Sequence, residues 1–377
     1  MSDTVNNTKK IAFVHDFLVT YGGAERVLES LIKLDVEAPI YTLLYDPEAM
    51  RGRFEGREIR ASFLQKLPKF IRKRYRWLLP LYPVAAESLD LRDFDVVISS
   101  SGAWSKGIVT RLKTLHIAYL HSPLRLLWDA NERYLESVHA GACLRFFGRM
   151  YLSYLRVWDR EAADRPDILV SNSEYTKVRA LKYYRRDSVV IHPPVTLSAS
   201  GDDRPAREDF FLVVSRLTES KGIDIAIEAF NKMQLPLRIV GSGRERARLE
   251  AMATERVTFV GNADDTELVS LYRRAKAVII PSEEDFGLAA AEAIRFGTPV
   301  IAYSIGGVSE IVTEGKTGEL FGAATPEVLA DAVRRFLDRG IEAYVFDESS
   351  IDRFSEAAFL SSWHNLLSGA GTETRIG

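Results

Sequence analysis

Five short apolar runs in the second half of the chain, FFLVVS (210–215), LRIVG (237–241), VTFVG (257–261), AVIIP (277–281) and PVIAY (299–303), alternate with stretches of helical spacing. A strand that is apolar at consecutive positions is buried on both faces, which a parallel sheet wrapped by helices achieves. The alternation predicts an α/β domain of the doubly wound type, with helices from Lys221, from Arg244, over 265–275 and over 287–296. The first half carries the same pattern in IAFVHDF (11–17), PIYTLL (39–44), DVVISSS (95–101), LHIAYLH (115–121) and ILVSNS (168–173). Gly22 and Gly23 follow the first of these runs. Beyond them Val27, Leu28, Leu31 and Ile32 share one helical face, so the order reads strand, turn, helix.

A chain of 377 residues exceeds what one hydrophobic core organises, which favours two domains. From about 190 the sequence becomes HPPVTLSASGDDRPARED, polar and without apolar periodicity, and the boundary is expected near 195. The expected domains are 1–195 and 196–351. The final stretch, 352–377, carries Phe354, Ala358, Leu360, Trp363 and Leu367 and is too apolar for a free tail. With 46% hydrophobic and 27% charged residues, disorder is excluded. Fifty basic against 52 acidic residues give a net charge of −2, so no whole-chain field recommends a nucleic acid partner. The lone Cys143 forms no intrachain bridge and no early segment reads as a signal peptide, so a cytoplasmic setting is expected. No run reaches the ~20 apolar residues of a spanning helix, leaving peripheral contact as the expected relation to a membrane.

The segment PSEEDFGLAAAEAIRFGTPVIA sits at the carboxyl end of one expected strand, where ligands bind in open α/β sheets. Glu284 precedes the helix and Glu292 lies eight positions on, a little over two turns at about 3.6 residues per turn. Phe286, Gly287 and Leu288 fall where that helix begins, with backbone N–H groups able to hold hydroxyls or an anion. A solvated acidic loop gives the same pattern. In SRLTESKG, Arg216 and Lys221 flank one strand-to-helix turn; such cations hold a diphosphate through charge-assisted bonds of about 1.5–3 kcal/mol each, although plain surface charge gives the same residues. VGSG places Gly241 and Gly243 at the next turn, where absent Cβ atoms let backbone approach a ligand, but the third glycine of a dinucleotide fingerprint is missing. Gly22 and Gly23 precede a helix N-terminus at the end of the first strand, and His121 ends another. A lone His is more often structural, and His121 stands out only because several loops converge on the same sheet edge. The DFD at Asp93–Asp95 has the form of a metal-binding triplet but directly precedes a strand, and its expected role is structural, with no metal.

GGAERV, LHSPLRLLWD, SNSEYT, HPPV, SRLTESKG, VGSG and the E-x7-E of EEDFGLAAAEA, in that order, resemble a retaining glycosyltransferase of family 4 over nearly the whole chain. HDFLVTYGGAERVLE with HSPLRLLWD is similar to bacterial mannosyltransferases that build O-antigen and exopolysaccharide repeats from GDP-mannose. The resemblance implies the GT-B fold, two Rossmann-like domains facing across a cleft, with a C-terminal helix crossing back to the first domain. It implies that Arg216 and Lys221 hold the donor diphosphate, that Glu292 binds the ribose and Glu284 the sugar hydroxyls, and that the amides of Phe286, Gly287 and Leu288 surround sugar and phosphate. Gly23 would lie against the diphosphate and His121 near the transferred sugar. The nucleotide sugar is a substrate, and no cofactor or metal is implied.

Near neutrality conceals one local charge. REIRASFLQKLPKFIRKRYR (57–76) holds eight basic residues and one acidic one, a net +7 against −9 for the remainder. Lys66, Lys69, Arg72, Lys73, Arg74 and Arg76 are interleaved with Phe70 and, just beyond, Trp77, the composition of an interfacial helix pair interrupted at Pro68. An anionic membrane surface presenting a lipid-linked saccharide acceptor is the expected partner, at the inner face of the plasma membrane. An ordinary basic surface, or one that binds nucleic acid, has the same composition.

Overall fold

The computed structural model describes residues 9–129, 142–198, 206–347 and 352–373. The chain divides into two units, Met1–Ile191 with Ser362–Gly377, and His192–Ser361. The first division falls at Ile191 against the expected 195, and the return at Ser362 against the expected 352.

Among the described residues of the first unit, seven strands form one sheet: β1 (Ile11–Leu18), β2 (Ile40–Tyr45), β3 (Ile59–Ala61), β4 (Val96–Ser101), β5 (Leu115–Leu120), β6 (Ile168–Ser171) and β7 (Val189–Val190). Their order is β3-β2-β1-β4-β5-β6-β7 and every pairing is parallel. The second unit holds β8 (Phe211–Val214), β9 (Leu237–Val240), β10 (Val257–Gly261), β11 (Val278–Ile280), β12 (Val300–Tyr303) and β13 (Gly318–Phe321). Their order, β10-β9-β8-β11-β12-β13, repeats the first, again with parallel pairs. Both sheets are Rossmann-like, as the apolar runs predict. The central runs are buried on both faces, VVISSS of β4 and LHIAYL of β5 throughout.

Three strands escape the sequence pattern, all at sheet edges. β3 and β7 are three and two residues long. β13 carries Glu319, only 1% exposed, whose charge is satisfied by Arg335 Nε at 3.2 Å, Arg339 Nε at 3.1 Å and the Tyr344 hydroxyl at 2.8 Å. A buried acid with three donors interrupts an apolar run without interrupting the strand. Two helix starts also move. Lys221 ends a 3-10 turn, Glu219–Lys221, and Gly222 at φ +57° separates it from the helix Ile223–Met233. The next helix runs over Arg246–Met252. The basic segment does not form a pair of full helices. It folds as one-turn pieces, Phe63–Lys66 and Lys69–Arg72, followed by Tyr75–Leu81 and Tyr82–Glu87, because Pro68, Pro80 and Pro83 leave no room for a longer ladder.

The last helix, Glu356–Glu373, is held by its apolar residues; Trp363 is fully buried, its ring 6.0 Å from that of Tyr119 in β5.

His116 in β5 is wholly buried, its Nε2 2.8 Å from Ser99 Oγ, and burial, helped by the charge of Arg165, pushes its pKa down to about 3. The unfolded chain takes up this proton below about 6.5, the folded one only near 3, so the contribution is intact above the first value and lost as pH falls between them. Denaturant unfolding at pH 7.5 and 5.5 checks this: the wild type loses about 1.4 kcal/mol more than His116→Asn over that interval.

Candidate functional site

In the second unit the strand order reverses between β8 and β11, and crossovers leaving these neighbours go to opposite faces of the sheet. In open α/β sheets ligands bind at such a reversal, on the carboxyl edge. Lys221 lies in the loop after β8 and Glu284 in the loop after β11. Lys221 Nζ donates to both carboxylate oxygens of Glu284, at 2.7 and 2.6 Å, with the side chains 19% and 21% exposed. Ser282 Oγ adds a bond to Oε1 at 3.3 Å. An ammonium has three N–H bonds and a carboxylate about four lone-pair positions, so the pair retains capacity for a ligand on both sides. Arg216, in the same loop as Lys221, is exposed and makes no ion pair among the described residues. Gly287, at φ +96°, turns the chain into the helix Leu288–Arg295, whose first-turn amides face outward along the axis. Phe286 beside it is 4% exposed and packs on Phe354 at 5.5 Å, which anchors that turn. Glu292 within the helix is 5% exposed and accepts the Tyr272 hydroxyl at 2.7 Å.

Gly241 and Gly243 have a steric reason unlike the one expected. A Cβ at Gly241, which adopts φ +137°, would stand 1.9 Å from Ser215 O, and one at Gly243 would stand 2.1 Å from Leu217 O. They admit neighbouring protein backbone, clamping the VGSG turn onto the Arg216 loop, which Leu217 N bonds at Ser242 O, 2.9 Å. Gly306 does the same for Glu284: its Cβ would meet Glu284 O at 2.2 Å, and Gly307 N donates to that oxygen at 2.8 Å. The glycine pair after PVIAY was the available signal for this third loop.

The first unit reverses between β1 and β4, and its polar groups gather there. His15 and Ser100 are register partners across that junction. His15 Nδ1 lies 3.1 Å from Ser100 Oγ, which lies 2.8 Å from Nε2 of His121. On its other side His15 Nε2 lies 3.4 Å from Glu25 Oε1, in the first turn of the helix Gly23–Leu31 that Gly22 and Gly23 introduce. Asp16 accepts three backbone N–H groups, of Gly102 (2.8 Å), Trp104 (2.9 Å) and Ser105 (2.6 Å), and so holds the loop after β4 in place. His15, Asp16, Glu25 and Ser100 were missed by sequence reasoning; the polar HD inside an apolar strand was the signal for the first two. Asp93–Asp95 precede β4 and lie at the opposite, amino edge, where Asp95 accepts Lys10 N at 2.9 Å.

Residues 21–199 match the family model of glycosyltransferase family 4, and residues 201–353 match that of the glycosyl transferases group 1. The chain belongs to these GT-B glycosyltransferases. An uncharacterized glycosyltransferase of Methanocaldococcus jannaschii is 23% identical over 84% of this transferase and 85% of its own length. D-inositol 3-phosphate glycosyltransferase of Corynebacterium glutamicum is 30% identical over 57% of the chain, which spans 60% of that relative. Among solved structures, Anabaena HepE in complex with UDP and glucose superposes with a TM-score of 0.70 at 17% identity, covering 96% of this chain and all of that one. Sucrose-phosphate synthase from Thermosynechococcus elongatus gives 0.71 at 20%, over 97% and 100%. Both structural likenesses speak to the fold.

Of the basic segment of the transferase, Lys66, Lys69, Phe70, Lys73, Arg74 and Trp77 are exposed, Trp77 by 78%, while Arg72 is half-buried with its Nε on Leu67 O at 3.0 Å. The side chain of Arg76 lies outside the described residues.

The clamp on the Arg216 loop is testable. Gly241→Ala combines a left-handed φ with a backbone collision, and costs about 3 kcal/mol or more of stability in the second unit, read by chemical denaturation.

Proposed function

We propose that this glycosyltransferase moves a hexose with retention from a nucleoside diphosphate sugar, the donor being GDP-mannose, to a polyprenyl-diphosphate-linked saccharide of a bacterial surface polysaccharide. The Lys221–Glu284 pair at the second unit's switch point carries the reading of the donor site. As the glycosidic C–O bond lengthens, positive charge grows on the sugar ring and negative charge on the departing diphosphate. Arg216, Lys221 and the amides of Phe286, Gly287 and Leu288 stabilise the latter, and an interaction that strengthens with developing charge lowers the barrier. Glu284 anchors sugar hydroxyls through its remaining lone pairs while fixing the ammonium in position. Glu292 is assigned to the ribose. The acceptor oxygen attacks the face from which the leaving group departs, the C1–O bond to the acceptor forming as that to phosphate breaks, and the departing phosphate oxygen takes the acceptor's proton. Two side-chain cations do the work of a divalent metal.

The donor base rests on the mannosyltransferase-like motifs of the first half. A second reading, UDP-hexose, is favoured by HepE, whose structures hold UDP, glucose and UDP-glucose. Calorimetry in EDTA with GDP, UDP, guanosine and uridine separates the two. GDP binds best to the wild type, and Lys221→Ala and Arg216→Ala each weaken GDP about tenfold or more but guanosine less than about twofold. Tighter binding of UDP would transfer the donor to the second reading, and equal losses for GDP and guanosine would remove the diphosphate role.

For the acceptor side we infer peripheral attachment to an anionic membrane face. Support comes from a cavity of about 420 Å³ in the first unit, lined among others by Tyr45, Gln65, Lys69, Arg72, Lys73 and Tyr75, beside exposed Phe70 and Trp77. Asp46 and Glu48 also line it, Asp46 being engaged in capping the turn Pro47–Met50. The helix Ala142–Ala163 adds a second apolar face: Phe146, Phe147, Met150, Tyr154 and Val157 are each 56–63% exposed, while Tyr151 between them bonds Leu79 O at 3.3 Å and ties the helix to the turn Tyr75–Leu81 that follows the basic segment. Basic groups near an anionic leaflet contribute about 1 kcal/mol each. In flotation assays the protein rises with phosphatidylserine vesicles and not with neutral ones, and Lys66, Lys69, Lys73 and Arg74 replaced together by Ala abolish the difference. Equal flotation of the wild type with both vesicles would remove the attachment.

A further inference from the structure

We propose that Glu25, His15 and Ser100 act as positioning residues that fix the tautomer of His121, holding its proton on Nε2 and leaving Nδ1 as the ring's acceptor atom. The inference rests on the reading of His121 as a group near the transferred sugar only for its consequence in catalysis. The tautomer itself follows from the hydrogen-bond chain.

The chain has one internal constraint. A serine hydroxyl owns a single proton, and Ser100 Oγ has an imidazole nitrogen on each side, His15 Nδ1 at 3.1 Å and His121 Nε2 at 2.8 Å. The hydroxyl can donate to one of them only, so the other must donate to it. Glu25 decides which. Its carboxylate accepts and never donates, and it lies 3.4 Å from Nε2 of His15, where a bare nitrogen lone pair would face negative charge. Neutral His15 therefore carries its proton on Nε2, directed at Glu25, and its Nδ1 is bare. Ser100 donates to that nitrogen and its oxygen is left to accept. His121 must then supply an N–H at Nε2. An imidazole in this form accepts a hydrogen bond at Nδ1, as from a sugar or acceptor hydroxyl, and does not donate there.

Burial makes the direction consequential. His15 has a side chain only 3% exposed and Ser100 none, while Glu25 is 14% exposed, so solvent offers the inner members little substitute for a lost partner. The parallel pairing of β1 with β4 places His15 opposite Ser100, and Tyr119 stands edge-on to the His121 ring at 5.2 Å, which limits how the ring can turn. Asn172 Nδ2 donates to the carbonyl of His121 at 2.9 Å and holds its backbone. His15 and Ser100 lie across the β1–β4 junction, His121 follows β5, and Glu25 is in the first turn of the helix after β1, so the four gather toward the carboxyl edge of one sheet.

Nitrogen NMR of the full chain labelled at the histidine ring nitrogens, with the His121 signals assigned by their loss in His121→Gln, reads the tautomer without relying on activity. The wild type is expected to show Nε2 protonated and Nδ1 bare. Ser100→Ala and Glu25→Gln are each expected to move the His121 signals toward a mixture of both tautomers, and Ser100→Thr to restore them. Glu25→Gln serves where Ser100→Ala fails to fold, since Glu25 lies at the rim and its amide replacement can donate as well as accept. In turnover, Ser100→Ala is expected to lower kcat about tenfold or more with donor Kd changed less than about twofold. Wild-type signals showing Nδ1 protonated, or unchanged signals in both variants, overturn the relay. Wild-type kcat in His121→Gln together with the expected signals would instead remove the role of His121 in transfer and leave the relay standing.

Discussion

Every strand pair in both sheets is parallel, and from this the location of the chemistry follows. A parallel neighbour is reached only by a crossover that returns the chain across a face of the sheet, so all strand carboxyl ends lie along one edge with their loops. Where the order reverses, the two crossovers leave in opposite directions and the loops between them cannot pack together. In the second unit that place is β8 against β11, and it is filled by Lys221 and Glu284. In the first unit it is β1 against β4, and it is filled by His15 and Ser100. One topological device, used twice, accounts for both clusters.

The fold was legible wherever burial on both faces made a run continuously apolar. Each of the ten expected strands exists, within about two residues at its ends, which is the ordinary uncertainty of element boundaries. The missing strands are those for which the physical basis of the pattern fails. β3 and β7 are too short to show periodicity, and β13 hides behind Glu319, whose donors come from residues far along the sequence. The same logic divides the sites. Arg216, Lys221 and Glu284 stand in loops where charged residues have no packing reason to be, so their types and positions drew notice. Their direct pairing did not, since 63 residues separate Lys221 from Glu284.

The glycines illustrate a second limit. Sequence marks Gly241 and Gly243 as positions that need freedom or room but says nothing of what occupies that room. The structure fills it with the backbone of the Arg216 loop, so these glycines hold one loop against another. In the first unit the corresponding stiffness comes from side chains: Asp16 spends its carboxylate on three amides of the loop after β4. Farther from the edge, Asp159, fully buried, accepts Lys106 Nζ at 2.6 Å, Trp128 Nε1 at 2.8 Å and the Tyr184 hydroxyl at 2.8 Å. Removing one member of such a buried set costs about 3–5 kcal/mol, far more than an exposed pair contributes. That cluster seats the inner face of the helix Ala142–Ala163 and thereby fixes which of its residues point outward.

Net charge averages away the most informative charge in the molecule. The basic pieces from Phe63 onward follow β3, and the cavity beside them takes Val19 and Tyr45 from the ends of β1 and β2. Parallel pairing therefore assigns the basic segment to the same edge of the same sheet as His121, which follows β5. Lys69, Arg72 and Lys73 thus share that edge with His121 and with the His15–Ser100 junction. Had β2 paired antiparallel to β1, its end and the cavity would lie at the amino edge, about 20 Å of strand away, with Asp93–Asp95. The strand direction thus joins a local charge, unremarkable in the chain's total, to the edge that carries His121.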